Sequence, residues 1–140
     1  MGIDQVEMVD VVMDTGSAWF TLTTIDCTDC TAETYDYTAS PYTYSELADS
    51  AIEVYYFQNG IDIFGVQSLD WVCITSEVDT CATDHTWVNI QNYAVNVSGL
   101  IGFNYDPAAM EWAGLSPAVH YLDSLYDQNI IADKIFGVAL

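Results

Sequence analysis

Hydrophobic positions in this chain recur mostly at every second residue, the spacing of strands that bury one face. "VEMVDVVM" (6–13) reads as a strand, with Val6 and Met8 placed for burial and Val11 and Met13 as further candidates. "WFTLTTI" (19–25) continues in β-prone residues towards the first cysteine pair. Residues 31–50 are polar, rich in Thr and Tyr, and carry Pro41, which suits a loop with one edge strand. In "AIEVYYFQNGIDIFGVQSLDWVCI" (51–74) strand formers flank Asn59-Gly60, a pair that accepts the positive φ angles of a tight hairpin turn. Alternation there puts Tyr55 and Phe57 on one face and Tyr56 on the other. "TWVNIQNYAVNVSGLIGFNY" (86–105) is β again and ends in the glycine-bracketed "GLIG". Helical spacing emerges only near the C-terminus. Ser116 reads as a cap, Pro117 as the first helical position and Asn129 as the stop, with Val119, Leu122 and Leu125 on one face. "KIFGVAL" (134–140) reads as a final strand. The pattern predicts a mostly-β fold with one short C-terminal helix, and 140 residues suit a single domain, 1–140.

Charge narrows the function classes. There are 21 Asp and Glu against a single basic residue, Lys134, for a formal net charge of −20. Nucleic acid is excluded as a partner, because phosphate contacts need Lys and Arg, and an anionic membrane surface is excluded for the same reason. Carboxylates in such excess repel one another in neutral water and lose that repulsion when protonated. The balance fits work in acid, and halophilic adaptation would give a similar imbalance. No run of about 18 uncharged apolar residues occurs. "MGIDQVEMVD" is acidic where a signal peptide has a positive start, so a secreted protein would carry a different precursor N-terminus.

The four cysteines fall into two close pairs, Cys27/Cys30 and Cys73/Cys81. "CTDC" has the spacing of a redox or zinc motif, and four cysteines could make one zinc site. Only the first pair has knuckle spacing, however, and it follows a Thr-rich loop where a redox pair would follow a strand feeding a helix. Two local disulfides in an oxidising compartment is the favoured reading. His85 and His120 have no paired ligand spacing and read as surface or half-buried side chains, so no metal site is expected.

One stretch carries candidate chemistry: "VVMDTGSAWF" (11–20) aims Asp14 out of an apolar strand into a small-residue turn. Asp, Gly and Ser are turn formers, which alone would explain it. The order around it argues for more. An apolar strand runs into "DTGSA" (14–18), followed by a close cysteine pair, a hairpin with Tyr55, "GLIG" (99–102) and a short helix. This order resembles the N-terminal lobe of the pepsin-like aspartic proteases across nearly the whole chain. A given four-residue string would arise by chance in such a chain with odds on the order of one in a thousand.

The resemblance implies one lobe of a double-β-barrel acid protease, an endopeptidase that takes peptide or protein substrates and needs no cofactor. In that chemistry a water lies between two carboxylates that share one proton, because two like charges so close cannot both ionise. Aspartic proteases are themselves the reference case for that coupling. Asp14 would be one carboxylate. Ser17 would hydrogen-bond its outer oxygen, Thr15 would lock the loop to its counterpart, and Gly16 would let backbone approach the carboxylate. Val12 and Leu100 would lie near the first substrate pocket, with Leu100 and Ile101 packed behind the loop. Tyr55 would be the flap tyrosine and Asn59-Gly60 the flap tip, although a hairpin tyrosine is also an ordinary packing residue. The chain departs from the family at Ser98, where Asp is usual, and at Tyr56, Phe57 and Gln58, where flap glycines are usual. Thr21 stands where tryptophan normally supports the flap, with Trp19 two residues earlier. One DTG triplet is present where the mechanism needs two aspartates. The expectation is therefore an N-terminal lobe shortened at both ends, whose partner is a complementary C-terminal lobe, in a secreted or lysosomal/vacuolar enzyme. The alternatives are a retropepsin-like homodimer and a non-catalytic β-domain used for protein binding.

Overall fold

The computed structural model describes residues 7–39, 41–56, 61–92, 98–105 and 119–138, with the backbone alone for 49–56 and 61–63. The described strands are β1 (Val12–Asp14), β2 (Phe20–Thr23), β3 (Ser45–Tyr56), β4 (Ile61–Cys73), β5 (Cys81–Asn92) and β6 (Gly99–Gly102), and one α-helix, α1 (Tyr121–Asp127), follows them. The strands form one six-stranded sheet in the order β1-β6-β2-β5-β4-β3. Among the described residues this is the mostly-β architecture with one short helix that the alternating pattern predicts.

Two kinds of connection build the sheet. β3, β4 and β5 are long consecutive strands paired antiparallel, as short connections allow. The β3–β4 ladder runs to Tyr56↔Ile61, so the expected long hairpin is present. Its Asn59-Gly60 turn lies outside the described residues. By contrast, β1 and β2 are close in sequence but do not pair with each other. β6 lies between them, parallel to β1 and antiparallel to β2. β2 then pairs parallel with β5. The segment 15–19 must therefore arch over the end of β6.

The core lies against β2, β5 and β6, where Phe20, Leu22, Trp87, Ile101 and Phe103 pack with Tyr121, Leu122 and Leu125 of α1. Trp87 and Val88 are wholly buried, because β5 is a central strand covered on both faces. One set of polar side chains in this interior is linked by hydrogen bonds. Thr24 donates to Asn89 (2.7 Å), Asn89 donates to Tyr44 Oη (2.9 Å), and Tyr44 lies 3.2 Å from Ser68 Oγ. Burial pushes the Tyr44 phenol up to about 12, since its charged form would lose solvation.

The structure corrects several sequence expectations. The first strand covers Val12–Asp14 only, and Met8, expected inside, is 67% exposed. Val9 and Val11 pack against the core instead, while Met13 is half exposed. Residues 7–11 have no strand beside them, so no pleat imposes alternation there. Val6 lies outside the described residues.

The helix opens at Tyr121 with His120 as its cap, the imidazole Nδ1 accepting from the Leu122 N–H. Val119 precedes it and is exposed, and Ser116 and Pro117 lie outside the described residues. Asn129 does stop the helix. Its φ is +58°, and the Asn129 and Ile130 N–H groups bond back to the Tyr126 and Leu125 carbonyls, closing a Schellman motif. The expected strand over "KIFGVAL" is absent from the described residues 134–138. There the Ile135 N–H turns back to the Asp133 carbonyl, and no described strand runs alongside to pair with it.

Candidate active site

Asp14 ends β1, opposite Gly102 in the parallel register with β6. Its backbone carbonyl accepts from the Phe103 N–H at 2.8 Å, which ties the strand end to the residue after β6. The half-buried carboxylate accepts from the Gly16 N–H at 2.8 Å through Oδ1, closing a turn two residues long. A Cβ on Gly16 would stand 3.2 Å from that same oxygen, tighter than ordinary contact. Glycine thus lets the N–H reach the carboxylate without crowding it.

The arch over β6 is clamped at several points. Gly102 N–H donates to the Trp19 carbonyl (3.0 Å) and Asn104 N–H to the Ser17 carbonyl (2.9 Å). The Asn104 side-chain amide reaches the Gly16 carbonyl at 3.4 Å. Gly102 has to be glycine, because a Cβ there would lie 2.5 Å from both the Ala18 carbonyl carbon and the Ser17 oxygen. Gly102 therefore lets β6 pass under the loop, Gly99 lets it lie close to Thr21 and Leu22 of β2, and Asp14 is held by backbone from a distant part of the chain.

Other expected site residues sort unevenly. Val12 and Leu100 are register partners on neighbouring strands, with Val12 about half exposed. Thr15 is exposed, as a residue reaching outward would be. Ser17 does not take the expected role: its Oγ is buried with no hydrogen-bond partner, and the Gly16 amide bonds the carboxylate instead. Tyr55 lies on β3 opposite Asp62, and its side chain is outside the described residues. Thr21 and Trp19 are both buried. Cys27 is bonded to Cys30 and Cys73 to Cys81, leaving no free cysteine among the described residues. The same residues hold no cluster of metal-ligating side chains.

Reading the sequence missed Asn104, since nothing local distinguishes it and its partners lie almost ninety residues earlier. It also misplaced both histidines, which are fully buried. His85 Nδ1 lies 2.8 Å from Ser124 Oγ, and its ring packs on Phe20 and Tyr121. Burial, aided by nearby His120, pushes His85 down to about 4. Burial also lowers His120, which stacks on Tyr105 at 3.9 Å.

A β1 carboxylate in a Thr-Gly-Ser turn, braced by a glycine-bracketed strand, can present one face of a carboxyl group to a reactant. The family model for eukaryotic aspartyl proteases matches residues 4–140, and the chain belongs to that family. Its single described sheet and short helix fit one lobe of the pepsin fold. No curated protein matches the chain.

Proposed function

We propose that this chain supplies one half of an aspartic endopeptidase site, with Asp14 as one of two carboxylates that activate water. The observation that carries the reading is the Asp14–Gly16 turn, held to the end of β6 by the Phe103 and Asn104 amides. A general base must keep its oxygen in place while a proton moves, and rigid backbone does this better than a free loop. The second aspartate would come from a complementary C-terminal lobe, since one DTG occurs in these 140 residues. In the shared-proton state, one carboxylate takes a proton from water while the other donates to the peptide carbonyl oxygen. The attacking oxygen adds to the carbonyl carbon, and proton return to the leaving nitrogen completes cleavage. Val12 and Leu100 would form the apolar floor under a substrate side chain, and Tyr55 would close over it from the β3–β4 hairpin. Two disulfides fit an oxidising compartment, secretory or lysosomal.

The test joins the chain to a lobe carrying the second aspartate and measures cleavage of an unstructured protein at pH 4. Activity should need both halves, and Asp14→Asn should lower kcat by at least about a thousandfold while leaving the melting curve unchanged, because the amide keeps the shape but cannot act as a base. Activity of the chain by itself, rising with the square of concentration, would instead mark a homodimer. Full activity in the joined Asp14→Asn protein would end the assignment.

A further inference from the structure

Between the segment before β1 and the inner side of the sheet lies a cavity of about 350 Å³, lined by Val9, Val11 and Met13 on one side. Phe20, Leu22, Trp87 and Ile101 make up much of its wall. Its volume falls within the range of small-molecule sites, roughly 300–1,000 Å³. The polar part of the lining includes two carboxylates beside the hydroxyls of Tyr35, Thr43 and Tyr121. Asp70, 3% exposed, accepts from Tyr35 Oη at 2.6 Å and from the Trp71 N–H at 2.7 Å. Glu7 also lines the cavity from its exposed edge, accepting from the Asp36 N–H at 3.3 Å. Neither carboxylate faces a basic side chain. The only Lys or Arg in the sequence is Lys134, and it is paired with Asp123 at 2.6 Å. His85, opposite Asp70 in the β4–β5 register, is kept neutral by burial at ordinary pH.

An apolar chamber with two carboxylates and no counter-charge selects its occupant by chemistry. A fatty acid would bring a like charge, and a neutral hydrocarbon would leave the carboxylates without a counter-ion. We propose that this cavity binds a small organic cation with an apolar body, an arylalkylammonium, whose head is drawn by Asp70 and Glu7. This assignment does not depend on the protease reading: Met13 and Phe103 line the cavity, but the Asp14 carboxylate does not.

Three probes of matched shape test it: 2-phenylethylammonium, 2-phenylethanol and 3-phenylpropanoate. Each is titrated into the 140-residue chain near pH 7 in physiological salt, with amide chemical shifts and tryptophan fluorescence as readouts, since Trp71 and Trp87 line the cavity. The ammonium should bind about tenfold more tightly than the alcohol, as one charge pair in a partly dry site allows, with the propanoate weakest. Shifts should centre on β2, β4 and β6. Glu7→Gln, at an exposed position, should narrow the ammonium preference to about threefold. Val72→Phe, which fills the chamber, should abolish binding by all three. If Val72→Phe fails to give a cooperative melt, the Glu7→Gln comparison decides alone. Alcohol binding as tight as ammonium, no saturable binding, or shifts scattered over the acidic surface would each overturn the proposal.

Discussion

His85 shows what burial does to a single titratable residue. Its unfolded form takes a proton near pH 6.5, while the folded form resists until about pH 4. The unfolded chain therefore binds more protons between those values. Stability from a neutral His85 is complete above pH 6.5 and is lost as pH falls towards 4. The size is on the order of 3 kcal/mol, by the conversion of about 1.4 kcal/mol per pKa unit. This runs against the gain expected from quenching repulsion among 21 acidic residues. His85→Asn should be less stable at pH 7, having lost packing on Phe20 and Tyr121, but its stability should fall less steeply from pH 6.5 to 4. Urea unfolding at closely spaced pH values checks this, and a slope equal to the parent's would show that His85 does not set the acid limb.

At the scale of elements, β6 has the sharpest requirement. Gly102→Ala puts a methyl into the backbone of residues 17–19 and should cost about 2–3 kcal/mol, with the amide signals of residues 14–18 displaced. Gly137→Ala, where a Cβ would meet nothing within 4 Å, is the matched control and should change stability by less than about 0.5 kcal/mol. Equal melting temperatures for the two variants would refute the clamp. The contrast also marks how far sequence reaches. The Asp14–Gly16 turn, the β3–β4 hairpin and the Asn129 stop were legible because each depends on a few adjacent residues. Family order made "GLIG" legible as well. The buried His85–Ser124 contact, the exposure of Met8 and the missing final strand were not, because each depends on which distant segment lies alongside. Alternation says that a side chain will face one way, and only the neighbouring strand decides whether that way is inward.

For the whole molecule, the acidic surface leaves few attractive ionic contacts, so cross-links and core packing hold the fold. The two disulfides close loops of only three and eight residues' separation. Loop-closure entropy gives roughly 1.7 kcal/mol for the shorter loop and about 2.5 kcal/mol for the longer. Replacing Cys73 and Cys81 by Ala should lower stability by about 2.5 kcal/mol, read as a lower urea midpoint with at most a small rise in slope, because the released loop is short. An unchanged midpoint would show that this bond does not stabilise the fold. The placement of β6 has a further consequence, for synthesis. Asp14 emerges from the ribosome early, but the strand that fixes it follows roughly ninety residues later. Until Gly102 has emerged and threaded beneath residues 15–19, the carboxylate has no set direction and no clamp. A nascent chain, or any fragment cut before β6, thus carries Asp14 without the contacts that orient it. On the proposed reading, sequence distance alone delays the orientation of the Asp14 carboxylate until β6 has been made.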